Sequence, residues 1–386
     1  MTNDRQDSPS TDMTYEKVIS LARELAKSVG RRAADAEVQR CLHEETIQEI
    51  VDTGLVRLLI PASFGGHELG MNAYADSTLE IARADASAGW CYSLFILHSW
   101  MLARFPEQAQ HDVWKENPDA LITTSLVPAG SVTETAGGYI LNGTWAWSSG
   151  VDHSNWCMLG GLVPVAGAQP EFALFLLPRS AYEVLDTWFV AGLRASGSKN
   201  VLVREIFVPA HRVARRDARE RGTSGNAGAL RLLSGFVAPI LGATIGAYEI
   251  WRDASSKKFT TFTGEQVASL SHVQIRLAEI EAEIQTACLL LQKILDVATP
   301  DHPISVEQSF RSSRDAAYIA KLCVEAIERI FLASGGSANY ESNPLQRYWR
   351  DIHAMAAHAA LNFDNAAKNF GRVELGIPPG VQWGLF

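Results

Sequence analysis

The chain has 386 residues, 47% of them hydrophobic and 20% charged, with a formal net charge of −9. That length and balance describe a globular protein with a large core and two or three structural units. The acidic balance argues against a nucleic-acid partner, which calls for a basic face against phosphates.

In chain order, residues 1–13 (MTNDRQDSPSTDM) are polar, lack the features of a signal peptide and are expected to be disordered. Residues 14–118 form an expected N-terminal helical domain, with apolar residues at three- and four-residue intervals in YEKVISLARELAKSV and ETIQEIVDTGLVRLL. The turn PASFGGHELG follows, and then the apolar and aromatic run WCYSLFILHSWML from Trp90 to Leu102. Over 119–214 the period shortens: LITTSLVP, GGYILNGTWAWSSG, WCMLGGLV, EFALFLLP and NVLVREIFVP are β-rich and separated by glycine and proline. They predict an antiparallel sheet or small barrel. Residues 215–228, charged and glycine-rich, read as a linker loop. Residues 229–386 predict a four-helix bundle, with helices over Leu230–Phe259, Leu270–Val297, Ser305–Ala333 and Leu345–Phe370. The whole is mostly α with a central β domain.

The uncharged stretch LLSGFVAPILGATIGA, Leu232–Ala247, approaches the roughly 20 residues a bilayer needs. Pro239 and the three glycines in it favour instead a helix buried on all sides, at a subunit interface, so no membrane partner is expected. Cys41, Cys91, Cys157, Cys288 and Cys323 form no C-x-x-C pair. Neither zinc site nor disulfide framework follows, and a reducing, cytoplasmic compartment does.

Neither a strand–GxGxxG–helix unit nor a GxxxxGK[ST] loop occurs, which removes Rossmann and P-loop sites. GGSAN, Gly335–Asn339, follows a helix and reads as a C-cap. In GTWAWSSGVDHSNW, Gly143–Trp156, tryptophans suit a strand core, while Ser148 and Ser149 stand at a glycine turn where hydroxyls and amides can face a ligand. QRYWRDIHAMAAHAAL, Gln346–Leu361, places His353 and His358 on one predicted helix. At roughly 100° per residue their side chains lie about 140° apart, a poor metal pair. His358 shares a face with Ala354, Leu361 and Asn362, where an imidazole can address a substrate or be a satisfied structural residue.

This order of domains resembles the acyl-CoA dehydrogenase superfamily over nearly the whole chain from Tyr15. ITTSLVPAGSVTETAGGYILNGTWAWSS is similar to that family's flavin-binding β segment, GLRASGSKNVLVREIFVPAHRV to the stretch closing its β domain, and GGSANYESNPLQRYWRD to its G-G-x-G…P-x-x-R-x-x-R-D motif. The glycines of that motif, here Gly335 and Gly336, meet the flavin of a neighbouring subunit in the family. A dehydrogenase carries its glutamate base a few residues after the R-D; that register puts His358 at the family's tyrosine and Ala359 at the glutamate. The alternative glutamate position falls in LLSGFVAPILG, which has no acid. Without a carboxylate to remove a C–H proton, thioester dehydrogenation is disfavoured.

WAWSSGVDHSNW, GLRASGSKNV and NPLQRYWRDIHAMAAH resemble more closely the flavin-dependent monooxygenases built on this fold, the p-hydroxyphenylacetate hydroxylase and steroid-phenol hydroxylase group. That resemblance implies an oxygenase component using reduced FMN or FAD from a separate NAD(P)H-dependent flavin reductase. It implies O2 activation as a C4a-hydroperoxyflavin and attack on a small phenolic or indole-like aromatic substrate. It implies that Ser149, or Ser148, meets flavin N5. His358 would hydrogen-bond or deprotonate the substrate, and His98 would line the pocket or serve the structure. Trp145 and Trp147 would flank the flavin, with Thr123, Thr124 and Ser125 on its ring edge and Lys257 or Lys258 near its phosphate. A homotetramer and no metal are implied. N- or S-oxygenation on the same scaffold, dehydrogenation with an unrecognised base, and a non-enzymatic scaffold are the competing readings.

Overall fold

The computed structural model describes residues 13–215, 223–298 and 304–380; the expected disordered tail, apart from Met13, lies outside them. The N-terminal helices are α1 (Tyr15–Gln39), α2 (Glu44–Asp52), α3 (Met71–Ala84), α4 (Ala86–Leu102) and α5 (Glu107–Trp114). The α1 helix starts where the Thr14 hydroxyl accepts the Lys17 amide, and it buries one stripe through Val18, Ala22, Leu25 and Val29. By contrast α4, capped by the Asp85 carboxylate on Ala88 N–H at 2.7 Å, is buried on nearly every face. It is the central strut of the domain.

Eight strands follow: β1 (Ile122–Ser125), β2 (Ser131–Thr135), β3 (Gly138–Ser148), β4 (Trp156–Val163), β5 (Glu171–Pro178), β6 (Glu183–Leu185), β7 (Lys199–Pro209) and β8 (Val213–Arg215). They make two four-stranded sheets, ordered β1-β4-β5-β8 and β2-β3-β7-β6. The expected antiparallel sheet or small barrel takes the form of two sheets, and it departs from the antiparallel expectation where β1 pairs with β4 in parallel. The β2–β3 hairpin lies between those two strands in sequence, which is the crossover a parallel pair needs. All four residues of β1 are buried, as a strand covered on both faces should be. Between the sheets lies a core of Leu141, Trp145, Leu159, Phe175, Val201 and Val203.

The C-terminal helices are α6 (Thr223–Lys257), α7 (Ser271–Ala298), α8 (Val306–Ser334), α9 (Pro344–Ala356) and α10 (Phe363–Glu374). Helix α6 begins inside the expected 215–228 linker, of which 216–222 lie outside the described residues. The apolar stretch Leu232–Ala247 is buried within the chain itself and needs no second copy to cover it. Its glycines let α6 lie against α3: a Cβ on Gly242 would stand 2.6 Å from Leu79 O, and one on Gly246 2.1 Å from Arg83 O. The helix expected over Leu345–Phe370 is two helices. It stops at Ala356 because His358 is extended (φ −62°, ψ 134°) and caps a short turn, and Asn362 caps α10 through the Asn365 amide. His358 thus lies off the helix, and the 140° separation from His353 does not apply.

Candidate active site

The site is assembled on α4. At the end of β3 the chain turns at Gly150, whose φ is 69° and where a Cβ would lie 2.4 Å from the Phe95 ring. Only glycine combines that backbone with so close an approach. The turn therefore settles directly on α4, and the Trp90 indole N–H donates to Ser149 Oγ at 3.0 Å. Thr123 fixes the same residue from the other side, donating its hydroxyl to Ser149 O at 2.8 Å. Ser149 Oγ also lies 2.8 Å from Ser198 Oγ.

The turn that follows β3 separates the two serines. Ser148 is fully buried in the β domain beside the Cys157 thiol, whereas Ser149 meets α4. The two tryptophans are separated as well. Trp145 is fully buried between the sheets with its N–H on Gly160 O at 2.7 Å, so it offers no ring face to a flavin; its expected flanking role is corrected to a core role. Trp147 sits at a register break in the β3–β7 pairing with φ 66°, and the residue is 64% exposed. A left-handed non-glycine residue is a strained position of the kind that gathers at functional sites. On β1, Thr123 and Ser125 both donate to carbonyls of the β3 end, Ser125 to Ala146 O at 2.8 Å, while Thr124 points the other way and its buried hydroxyl has no protein partner.

His358 comes to this place from the C-terminal turn. Its ring stacks on Phe236 of α6 at 4.1 Å and 26°, and meets the Trp90 ring edge-on at 5.8 Å. The Ala360 N–H donates to its Nδ1 at 3.2 Å, so the neutral ring carries its proton on Nε2. Enclosure by these rings pushes its pKa down to about 4. Nε2 has no hydrogen-bond partner among the described residues. His98 is also held neutral: burial lowers its pKa to about 4, and Nδ1–H donates to Ile122 O at 2.8 Å, fastening α4 to β1. His353 bonds Trp349 O at 2.7 Å and Glu328 Oε1 at 3.0 Å, a tie between α9 and α8.

Phe236 stands within LLSGFVAPILG, the stretch where a dehydrogenase would hold its alternative glutamate, so an aromatic ring faces His358 there. The buried acid Asp351 serves the frame. Asp351 accepts Leu193 N–H at 2.6 Å, and burial raises its pKa to about 7. Lys258 Nζ lies 3.4 Å from Ser334 O, at the start of the Gly335–Asn339 turn, and nothing stands within 4 Å of a Cβ built on Gly335 or Gly336. No hydrogen bond, ion pair or ring contact among the described residues joins that turn to the Trp90 group. Sequence reasoning passed over Trp90 and Phe236. The one available signal for Trp90 was the indole N–H itself, which demands a partner when buried.

Residues 13–116 match the model of the acyl-CoA dehydrogenase N-terminal domain and residues 234–363 that of the acyl-CoA dehydrogenase C-terminal domain. The flavin-dependent monooxygenase oxygenase subunit HsaA of Mycobacterium tuberculosis is 34% identical, over 95% of this chain and 97% of its own. The FADH(2)-dependent resorcinol hydroxylase oxygenase component of a Rhizobium species is 30% identical, over 99% of this chain and 100% of its own. The crystal structure of the M. tuberculosis HsaA monooxygenase superposes with a TM-score of 0.88 at 32% identity, covering 96% of this chain and 99% of that one. Matched end to end by relatives at 34% and 30% identity, the chain belongs to the oxygenase subunits of the flavin-dependent monooxygenases, a branch of the acyl-CoA dehydrogenase family.

Proposed function

We propose that this chain takes reduced FMN or FAD from a separate NAD(P)H-dependent flavin reductase and uses O2 to hydroxylate a small phenolic or indole-like aromatic compound. The observation that carries the reading is Trp90, which touches Ser149 of the β domain and His358 of the C-terminal turn at once. Two features suit a flavin ring: the exposed, strained Trp147 and the partnerless hydroxyl of Thr124. Bound reduced flavin supplies the electrons and the reaction with O2. The chain's own part is to meet N5 with Ser149, hold the ring edge with Thr124 and Trp147, and keep water away with Trp90 and Phe236.

His358 addresses the substrate. As a neutral ring with Nδ1 already accepting from Ala360, it presents Nε2–H as a donor to a phenolic or phenolate oxygen. Removing a proton through Nε2 would need the other tautomer and the loss of that bond. His98 lines the same strut, Lys258 serves the flavin phosphate, and Gly335 and Gly336 approach the flavin of a neighbouring copy. The exposed Ile275 and Leu289 of α7 and Leu332 of α8 form apolar ground for a homotetramer, to be checked by light scattering. Five free cysteines suit the cytoplasm.

The test is to combine the protein with a flavin reductase, NADH, FMN or FAD, 18O2 and a panel of phenols and indoles. Labelled hydroxylated product is expected. Hydrogen peroxide alone with every compound would overturn the aromatic hydroxylase reading, and failure to bind either reduced flavin anaerobically would overturn the flavin reading.

A further inference from the structure

Behind Ser149 runs a buried line of hydroxyls. Ser149 Oγ is 2.8 Å from Ser198 Oγ, Ser198 Oγ is 2.7 Å from Ser196 Oγ, and Ser196 donates to Leu193 O at 2.7 Å. All three serines are at most 6% exposed. Each hydroxyl has one proton, and a carbonyl can only accept, so the direction of every bond is set from the far end. The Ser196 proton lies on Leu193 O; Ser196 must then accept from Ser198, and Ser198 from Ser149. At the near end, the Trp90 N–H occupies one lone pair of Ser149. What remains on Ser149 Oγ is a lone pair and no proton.

The anchor of this line is rigid. Leu193 adopts φ 54°, and its carbonyl also accepts the Trp188 indole N–H at 2.9 Å and the Ser196 amide at 3.0 Å. Its own N–H is held by Asp351 at 2.6 Å. A carbonyl so fixed stays within reach of the Ser196 hydroxyl and can only accept from it.

We propose that Ser196 and Ser198 are positioning residues that make Ser149 an obligate hydrogen-bond acceptor, and that the site thereby selects the redox state of its flavin. The inference rests on the reading in which Ser149 meets flavin N5. Reduced flavin carries a hydrogen on N5 and complements the free lone pair. Oxidised flavin has only a lone pair on N5 and opposes it, unless Ser149 turns its proton away from Ser198 and leaves a buried oxygen short of a donor. The chain therefore captures the reduced form and sheds the oxidised form without any movement of the backbone.

The experiment is anaerobic titration of the wild type, Ser198→Ala, Ser196→Ala and Ser198→Thr with reduced and with oxidised flavin, each followed by ultrafiltration. The wild type is expected to prefer the reduced form. In Ser198→Ala the freed Ser149 proton can donate to N5 of oxidised flavin, so the preference should fall about fivefold to tenfold, mostly by tighter oxidised binding, as expected for one neutral hydrogen bond. Ser196→Ala should fall partway, and Ser198→Thr, which keeps the hydroxyl, should retain the wild-type ratio. An unchanged ratio in Ser198→Ala, or equal weakening of both forms, overturns the inference while leaving the flavin reading in place. A wild type that binds neither form overturns both.

Discussion

The indole N–H of Trp90 donates to the hydroxyl of Ser149 at 3.0 Å, and this bond crosses from the N-terminal helices to the β domain. Both partners are buried, so neither can turn to water for compensation. The same ring gives its edge to His358. One side chain thus sets the distance between the group assigned to flavin and the group assigned to substrate.

Replacing Trp90 by Phe keeps the aromatic volume and removes the N–H. We expect a loss of about 1 kcal/mol in stability, one neutral hydrogen bond, read by urea denaturation. The hydroxyl of Ser149 loses its donor, so the share of reduced flavin lost as hydrogen peroxide should rise several-fold, measured as the peroxide-to-product ratio. An unaltered ratio would detach Trp90 from the chemistry.

His358→Ala is expected to cut product formation by about tenfold or more, the scale of removing one hydrogen bond made to a reacting group. Anaerobic reduced-flavin affinity should stay within about twofold of wild type, because no flavin contact is assigned to the imidazole. Loss of flavin binding in a folded variant would move His358 from substrate to cofactor.

The depressed pKa values of His98 and His358, both pulled to about 4 by burial, bear on acid stability. Unfolding frees each ring to take up a proton near its ordinary pKa of about 6.5, so between pH 6.5 and 4 the unfolded chain binds more protons and stability declines as pH falls. His358→Ala removes one of the two contributions. Between pH 7.5 and 4.5 the wild type should lose on the order of 2 kcal/mol more than the variant, before any change in packing common to both pH values. Parallel stability curves would show that the imidazole is already protonated or openly solvated in the folded protein.

Trp145 and Trp147 should behave as opposites. Trp145→Ala opens a cavity between the two sheets and should destabilise by about 3–5 kcal/mol. Trp147→Ala removes an exposed ring, with a stability change within about 0.5 kcal/mol, and should weaken reduced-flavin binding. Thermal melts together with anaerobic titration separate the two; a Trp147 variant with full affinity would leave that ring without a role.

The helix–sheet–helix order was legible because its signals are periodic and long. The pattern switches near Ala120 and again after the glycine-rich 215–228 segment, and such changes survive any uncertainty at boundaries. The break at His358 was hidden: HAMAAHAAL is rich in helix-favouring alanine, and histidine is not a usual capping residue, so only the folded Nδ1–Ala360 bond marks the end. Trp90 was hidden for a related reason. Because α4 is buried on nearly every face, its sequence has no polar side against which a functional residue stands out. The buried run Leu232–Ala247 announced its burial but not its cover, since contact with α3 and contact with another copy ask for the same residues. Of the serine pair, the end of β3 at Ser148 and the turn at Gly150 onto Phe95 decide which one faces α4, and that seating is a property of the folded contact with α4.

Along α4, Trp90 holds Ser149, Phe95 underlies Gly150, and His98 grips β1. Ser149 and its surroundings are therefore bound to one strut, while His358 arrives from a separate turn and Phe236 from α6, itself tied to α4 by the Ser93 hydroxyl on Gly235 O at 2.8 Å, and both meet Trp90 through ring contacts. On the assignment proposed above, substitutions at residues 357–362 would recut the substrate side while leaving the bond between Trp90 and Ser149 untouched, and a laboratory library aimed at new substrates belongs on that turn.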